Sequence, residues 1–395
     1  MTSAGPVKRN APLLAASAGL RFALFPIPVI TLFWKDQIGM SLTEIMWLQS
    51  IFGATAVVCE FPSGYVADRL GYRRSLVIGA GFWLAGWIAY ALGATFAGIA
   101  LAEILLGVGL AFISGADSAL LYVSVEGGES SDRYRAWEGR VRATSQASEA
   151  ASAAVGGWLY SIAPRLPFWL QIPVAAANLG VIAALYDVHP LEGATRTSHL
   201  RRAWHIVAHA LVRHARLRAS MALSVALGIS TYIAVWLIQP WMQRRGIAPA
   251  WFGPLWAAAH LWLAAVSLAN ARVAQTLGVA PVLLGCSVLA GASYLALALG
   301  SSAVAVVFYL GFMTVRGLQG PLLAGALQAD APPEDRASVL SLNALLFRLA
   351  AAIVLPPVGA LADRIGIEPT LGVLAALSLA VCLAAWSAFA RAHRG

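Results

Sequence analysis

The sequence predicts an all-α membrane protein with twelve transmembrane helices, arranged as two pseudo-symmetric six-helix bundles. The first observation is composition. Of 395 residues, 59% are hydrophobic and only 11% carry charge, against about 25% in an ordinary soluble domain. At a mean hydropathy of +0.74, a water-soluble fold would need an apolar outer shell, which excludes soluble enzymes, secreted scaffolds and disordered chains. The second observation is segmentation: six apolar runs of membrane length, a polar break, and six more. The third is a repeat. Asp132-Arg133 and Gly156 recur as Asp335-Arg336 and Gly359 at an offset of 203, and Gly71 recurs as Gly278 at an offset of 207.

The elements follow in order. A short tail, residues 1–12, ends in Lys8 and Arg9 before the first apolar run. No A-x-A cleavage pattern interrupts that run, so it is expected to be retained as a span. The first bundle, residues 13–186, holds Leu13–Phe33, Thr43–Ala67, Ser75–Ala94, Ala97–Val123, Trp137–Ile162 and Leu166–Tyr186. Residues 187–216 form the one long polar segment, a linker with five Arg and five His. Within it Leu200, Trp204, Val207 and Leu211 recur at helical spacing, the pattern of an amphipathic helix lying on the membrane surface. The second bundle, residues 217–390, holds Leu217–Gln239, Trp251–Ala271, Ala280–Leu299, Ala303–Leu327, Ala337–Leu361 and Thr370–Ala390, and residues 391–395 form a tail.

Charge sets the orientation. The net charge of +9 comes without any aromatic-basic module for nucleic acid. Loops on the side of both termini hold 17 Lys and Arg against 5 on the opposite side, which places both termini in the cytoplasm. Trp34, Trp137, Trp169, Trp241 and Trp251 lie near span ends and read as interfacial anchors. Cys59, Cys286 and Cys382 show neither disulfide nor metal spacing.

The sharpest motif lies between the second and third spans: Gly64-Tyr65-Val66-Ala67-Asp68-Arg69-Leu70-Gly71-Tyr72-Arg73-Arg74. Here the chain resembles the major facilitator superfamily, whose loop signature is G-x-x-x-D-R-x-G-R-[KR]; Tyr72 stands where the first basic residue of the final pair is usual. The six-plus-six layout and the repeat extend the resemblance over essentially the whole chain. It implies alternating-access transport, with Gly64, Asp68, Arg69, Gly71, Arg73 and Arg74 acting as a conformational latch. It also implies that helices 1, 4, 7 and 10 line a cavity, flanked by helices 2, 5, 8 and 11. Two motifs of the drug-proton antiporters in that superfamily are missing. Glu103-Ile104-Leu105-Leu106-Gly107 stands where they carry Arg-x-x-x-Gly, and the fifth span keeps Ser148, Ser152, Ala153 and Gly156-Gly157 without a Gly-Pro step.

Charges inside the spans are the remaining signal, because a charge at a helix centre costs about 2.5 to 3.5 kcal/mol even on lenient scales and needs a cavity or a partner. Arg21, Arg316 and Arg348 are candidates for holding an anionic or carboxylate-bearing solute, since a guanidinium grips a carboxylate by two hydrogen bonds. An ion pair of Arg21 with Glu149 is the structural alternative. Tyr232 and Trp236 are candidate cavity residues. Glu149, then Asp117, then Glu103 are candidates for proton coupling. Glu60 reads as structural, and His260 as a weaker proton-carrying candidate.

The expected function is therefore secondary active transport of a small organic solute, coupled to protons or another ion. A polyspecific drug-proton antiporter is the alternative. A membrane-embedded enzyme is disfavoured because no catalytic or metal motif is present. The expected partners are the solute, the coupling ion and the lipid bilayer, with no nucleic acid, no cofactor and a monomeric state. The expected location is the bacterial cytoplasmic (inner) membrane.

Overall fold

A computed structural model of the chain describes residues 9–125, 131–187, 207, 209–332 and 335–393. Among these residues there is helix and no strand. We number the main helices α1 (Asn10–Phe22), α2 (Leu42–Leu70), α3 (Tyr72–Leu92), α4 (Phe96–Ile113), α5 (Ala116–Val125), α6 (Ser131–Ile162) and α7 (Leu166–Ala183). They continue with α8 (Ala215–Arg244), α9 (Phe252–Leu277), α10 (Val279–Leu299), α11 (Tyr309–Asp330), α12 (Arg336–Ile365) and α13 (Ile367–Ala392). Eleven spans are long and apolar enough to cross a membrane. The twelfth is α6, whose 32 residues reach far enough although its first half carries Arg133, Arg135, Glu138, Arg140 and Arg142. The chain is an all-α membrane protein. Its contacts divide it into two compact units: residues 1–194 with 248–257, and 195–247 with 258–395. Most of the expected surface helix, including Leu200 and Trp204, lies outside the described residues.

Two spans of the first unit that read as continuous are broken. The first runs as α1 and then stops; Ala23 to Pro26 unwind before a limb of mixed 3-10, α and π winding, Ile27–Val29, Ile30–Leu32 and Phe33–Ile38. Pro26 and Pro28 cannot donate to the helical ladder, and the Phe25 N–H, past the end of α1, donates to Gln171 Oε1 on α7 at 3.2 Å. The fourth span breaks at Ser114-Gly115, between α4 and α5. Gly115 sits at φ +85°, a left-handed geometry that costs other residues about 1 to 2 kcal/mol. Ser114, Gly115 and Ser118 are exposed, and irregular backbone at membrane depth is tolerated only where it is packed by protein or faces a water-filled cavity.

The repeat is visible in the turns. Gly71, between α2 and α3, has φ +90° and ψ 157°, and Gly278, between α9 and α10, has φ +83° and ψ 153°. The same single-residue joint thus closes the second and third spans of each half.

Packing corrects part of the tryptophan reading. Trp169 and Trp251 are exposed, but Trp34 and Trp241 are fully buried. The Trp241 indole donates to Leu297 O at 3.1 Å, so it is a core residue anchored to a neighbouring helix. Position near a span end does not separate an anchor from a core residue, because both present one apolar and one polar edge.

Candidate functional site

The two breaks of the first unit bring charge together. Arg21, in the last turn of α1, donates from Nη2 to Asp117 Oδ2 at 3.0 Å. Asp117 opens α5, where its Oδ1 accepts from Ser118 N–H at 2.8 Å, so the carboxylate also caps the helix N-terminus. Both side chains are largely sheltered, at 14% and 28% exposure. The partner of Arg21 is therefore Asp117, where the sequence had pointed to Glu149. Glu149 lies half-buried on α6. The buried Arg21 Nε has no hydrogen-bond partner among the described residues. Below this pair, Ser17 on α1 donates to Asn178 Oδ1 on α7 at 2.7 Å.

Glu103 is held differently. It is 5% exposed on α4, and its Oε1 accepts from the Tyr90 hydroxyl and from Gln49 Nε2 at 3.3 Å. No salt bridge reaches it among the described residues. Tyr90 in turn lies 5.4 Å from Trp87 and 5.8 Å from Phe168 between ring centroids. The acid thus sits in an aromatic, uncharged setting.

The second unit positions arginines. Arg316 lies half-buried on α11, one residue before a backbone contact that the sequence explains. Pro321, four residues after Gly317, has no N–H to offer the Gly317 carbonyl. That carbonyl accepts instead from Asn270 Nδ2 at 3.3 Å and Ser267 Oγ at 3.4 Å, both on α9, while Asn270 Nδ2 also reaches Leu318 O at 2.6 Å. The segment carrying Arg316 is therefore fixed by side-chain amide and hydroxyl. Among the described residues Arg316 makes no salt bridge, and it lies near Tyr309, whose buried hydroxyl has no hydrogen-bond partner among them. Arg348 is half-buried on α12 beside Phe347. Phe347 packs edge-on against Tyr232 of α8 at 5.5 Å, and Tyr232 against Trp236 at 5.9 Å. Tyr232, Trp236 and the Arg348 segment are thus brought together. His260 is half-buried on α9.

The motif between α2 and α3 is mostly helix rather than loop. Gly64 to Leu70 continue α2, and Gly71 alone makes the joint. Arg73 Nη2 donates to Ala183 O at 2.6 Å, placing a cation at the C-terminal end of α7, where the helix dipole favours it. Arg69 stacks over the Tyr65 ring at 4.9 Å. Arg74 and Gly64 are exposed. The Asp68 side chain lies outside the described residues.

Sequence reasoning missed Tyr90, Gln49, Asn178 and Asn270. The three amides are polar residues within apolar runs, a signal that embedded polar groups bridge helices; Tyr90 offered no such signal.

Comparison with known proteins places this geometry. Solved structures share the fold over nearly the whole chain. The nucleoside transporter NupG superposes with a TM-score of 0.81 at 13% identity, covering 96% of this chain and 99% of that one. A POT family transporter in complex with 5-aminolevulinic acid gives 0.79 at 14% identity, covering 98% and 97%. The peptide transporter POT in complex with sulfate gives 0.74 at 18%, covering 98% and 95%. No curated protein sequence matches. The family model of the Major Facilitator Superfamily matches residues 13–355, and the chain, a membrane transporter and not an enzyme, belongs to that superfamily.

Proposed function

We propose that this transporter carries a small organic anion, coupled to protons, by alternating access. The observation that carries the anionic reading is the charge content of the second unit. Its embedded charges are Arg316 and Arg348 alone, while Asp330, Asp335, Asp363 and Glu368 all stand at helix ends. Glu368 is already engaged by Arg244 and Arg245 at 3.5 and 3.4 Å. The half-buried Arg316 makes no salt bridge among the described residues; such a charge is costly in a membrane, and a carboxylate or phosphate ligand offsets that cost through paired charge-assisted hydrogen bonds. Tyr232 and Trp236 supply the apolar wall that an organic solute needs.

The coupling role falls to Asp117. Protonation would cancel its attraction for Arg21 at the point where two helices are interrupted, and discontinuous helices are where transporters bind substrates and coupling ions. Glu149 and Glu103 rank behind it, the first because it lies on the unbroken helix α6 and the second because it is buried in an uncharged setting. Asp68, Arg69 and Arg74 are assigned to the conformational latch, with Gly64 and Gly71 shaping the segment; Arg73 has a bond within its own unit. Both termini are assigned to the cytoplasm of a bacterial inner membrane, with the bundles spanning 13–186 and 217–390.

The test is uptake by the purified chain in proteoliposomes against a panel of carboxylates, phosphates and lipophilic cations. Accumulation of an anion that follows an imposed proton gradient and collapses with an ionophore is the expected result. Transport of lipophilic cations alone would overturn the anionic reading and restore drug efflux.

A further inference from the structure

A cavity lies inside the first unit, bordered by α1, α3, α4, α5 and α6. Its volume is about 40 Å³, room for about three or four waters at about 10 to 15 Å³ each. Three charged side chains border it: the sheltered Arg21 from α1 and Asp117 from α5, and Glu138 from α6, which is otherwise exposed. The other elements bring no charge. α3 contributes Leu76 and α4 contributes Ile113, while the uncharged Asn178 of α7 accepts from Ser17 through Oδ1. Arg135, Arg140 and Arg142 of α6 are exposed, and Tyr122 and Tyr134 pack edge-to-face at 5.3 Å across α5 and α6.

One guanidinium therefore shares a cavity with two carboxylates, and it uses only one. Arg21 bonds Asp117 through Nη2, and its Nε is buried without a hydrogen-bond partner among the described residues. When Asp117 takes up a proton, Arg21 loses its counter-charge while remaining sheltered at membrane depth. An arginine stranded there must find another anion, and Glu138 is the other carboxylate on the cavity wall.

We propose that Glu138 is the alternate counter-ion of Arg21, so that protonation of Asp117 hands the guanidinium from α5 to α6. One proton moves from water onto Asp117, Arg21 keeps its own, and no other bond is made or broken. The exchange changes which helix α1 is tied to, the kind of discrete rearrangement that converts a protonation event into helix movement. It rests on the assignment of Asp117 as the coupling carboxylate.

The test needs no solute, which separates it from the transport assay. Melting temperatures of the full chain in nanodiscs are compared for wild type, D117N, E138Q, D117N/E138Q and D117N/E138Q/R21Q. Each single variant leaves Arg21 one carboxylate, whereas the double strands it. The double should therefore lose at least about 2 °C more than the sum of the singles, and R21Q should recover that excess. As pH is lowered, E138Q should lose melting temperature more steeply than wild type, because acid removes its one remaining acceptor. Additive singles, a triple variant no better than the double, or identical acid profiles for E138Q and wild type would each overturn the exchange. If the double does not fold, folding of the triple supports the proposal. Failure of proton-driven uptake in the wild type, with the thermal coupling intact, would instead overturn the coupling role while leaving the ion-pair exchange standing.

Discussion

The two units share a framework and differ in their charge. Gly71 and Gly278 hold nearly the same backbone angles in corresponding joints, yet the embedded groups have diverged. The first unit carries one arginine and three carboxylates, Arg21 with Glu103, Asp117 and Glu149; the second carries Arg316 and Arg348. The helices have diverged too. The first unit interrupts its first and fourth spans, and Arg21 and Asp117 meet at the interruptions. In the second unit the helix bearing Arg316 runs through Pro321 unbroken, its freed carbonyl met by Asn270 and Ser267. A duplicated bundle preserves what sets packing, namely joints and crossing points, while its charged groups are free to specialise. The comparison gives the first unit a paired arginine, Arg21 with Asp117, and the second an arginine, Arg316, that makes no salt bridge among the described residues.

The sharpest way to break that comparison is to neutralise one arginine in each unit. R21Q leaves Asp117 unpaired and should destabilise the protein, by less than the about 3 to 5 kcal/mol of a fully buried pair because Asp117 is partly exposed. R316Q removes a charge that has no salt bridge, so it should leave stability unchanged or raised while abolishing anion uptake. Thermal melts paired with uptake read both effects. Equal destabilisation by the two variants would erase the distinction between the units.

Asn270 tests whether the Arg316 segment depends on its side-chain braces. N270A withdraws a donor from Gly317 O, and a buried carbonyl left short of partners costs about 1 to 3 kcal/mol; the remaining Ser267 contact places the loss in the lower half. N270D should not rescue, since a carboxylate has no N–H to give. The corresponding question for the first unit falls on G115A. Its left-handed angle should cost about 1 to 2 kcal/mol, read as a lowered melting temperature, and a silent G115A would show that the break at Gly115 relaxes freely.

Y90F removes one of the two donors to Glu103. Its cost should be about 1 kcal/mol, and E103Q, which keeps a hydrogen-bonding side chain of the same shape without any charge, should be milder than D117N. The reverse order would show that Glu103 carries charge that its uncharged surroundings do not balance. The smallest expected effect is at Asp68. D68N should shift the conformational equilibrium by about 0.3 to 1 kcal/mol, the size of an exposed charge–dipole contact, visible as altered distances between paired labels on the cytoplasmic helix ends.

The sequence by itself determined the class, the number of spans and the duplication. Those follow from apolar run length and from glycine joints, which are local properties: a run of about 20 apolar residues has one stable outcome in a bilayer. It also marked every embedded charge, because such groups stand out against an apolar background. Pairing was decided only by tertiary structure. Arg21 and Glu149 looked like partners by depth, but breaks at Pro26 and Gly115 turned Arg21 toward Asp117. Glu138, which no pattern in the sequence singles out, borders the same cavity as Arg21 and Asp117. Asn270 gained its role from a proline on another helix. Depth in a span is written in residue number, whereas the face a residue presents depends on kinks, breaks and close helix contacts that accumulate through the packed bundle. Which charge meets which is therefore settled only when the helices are assembled.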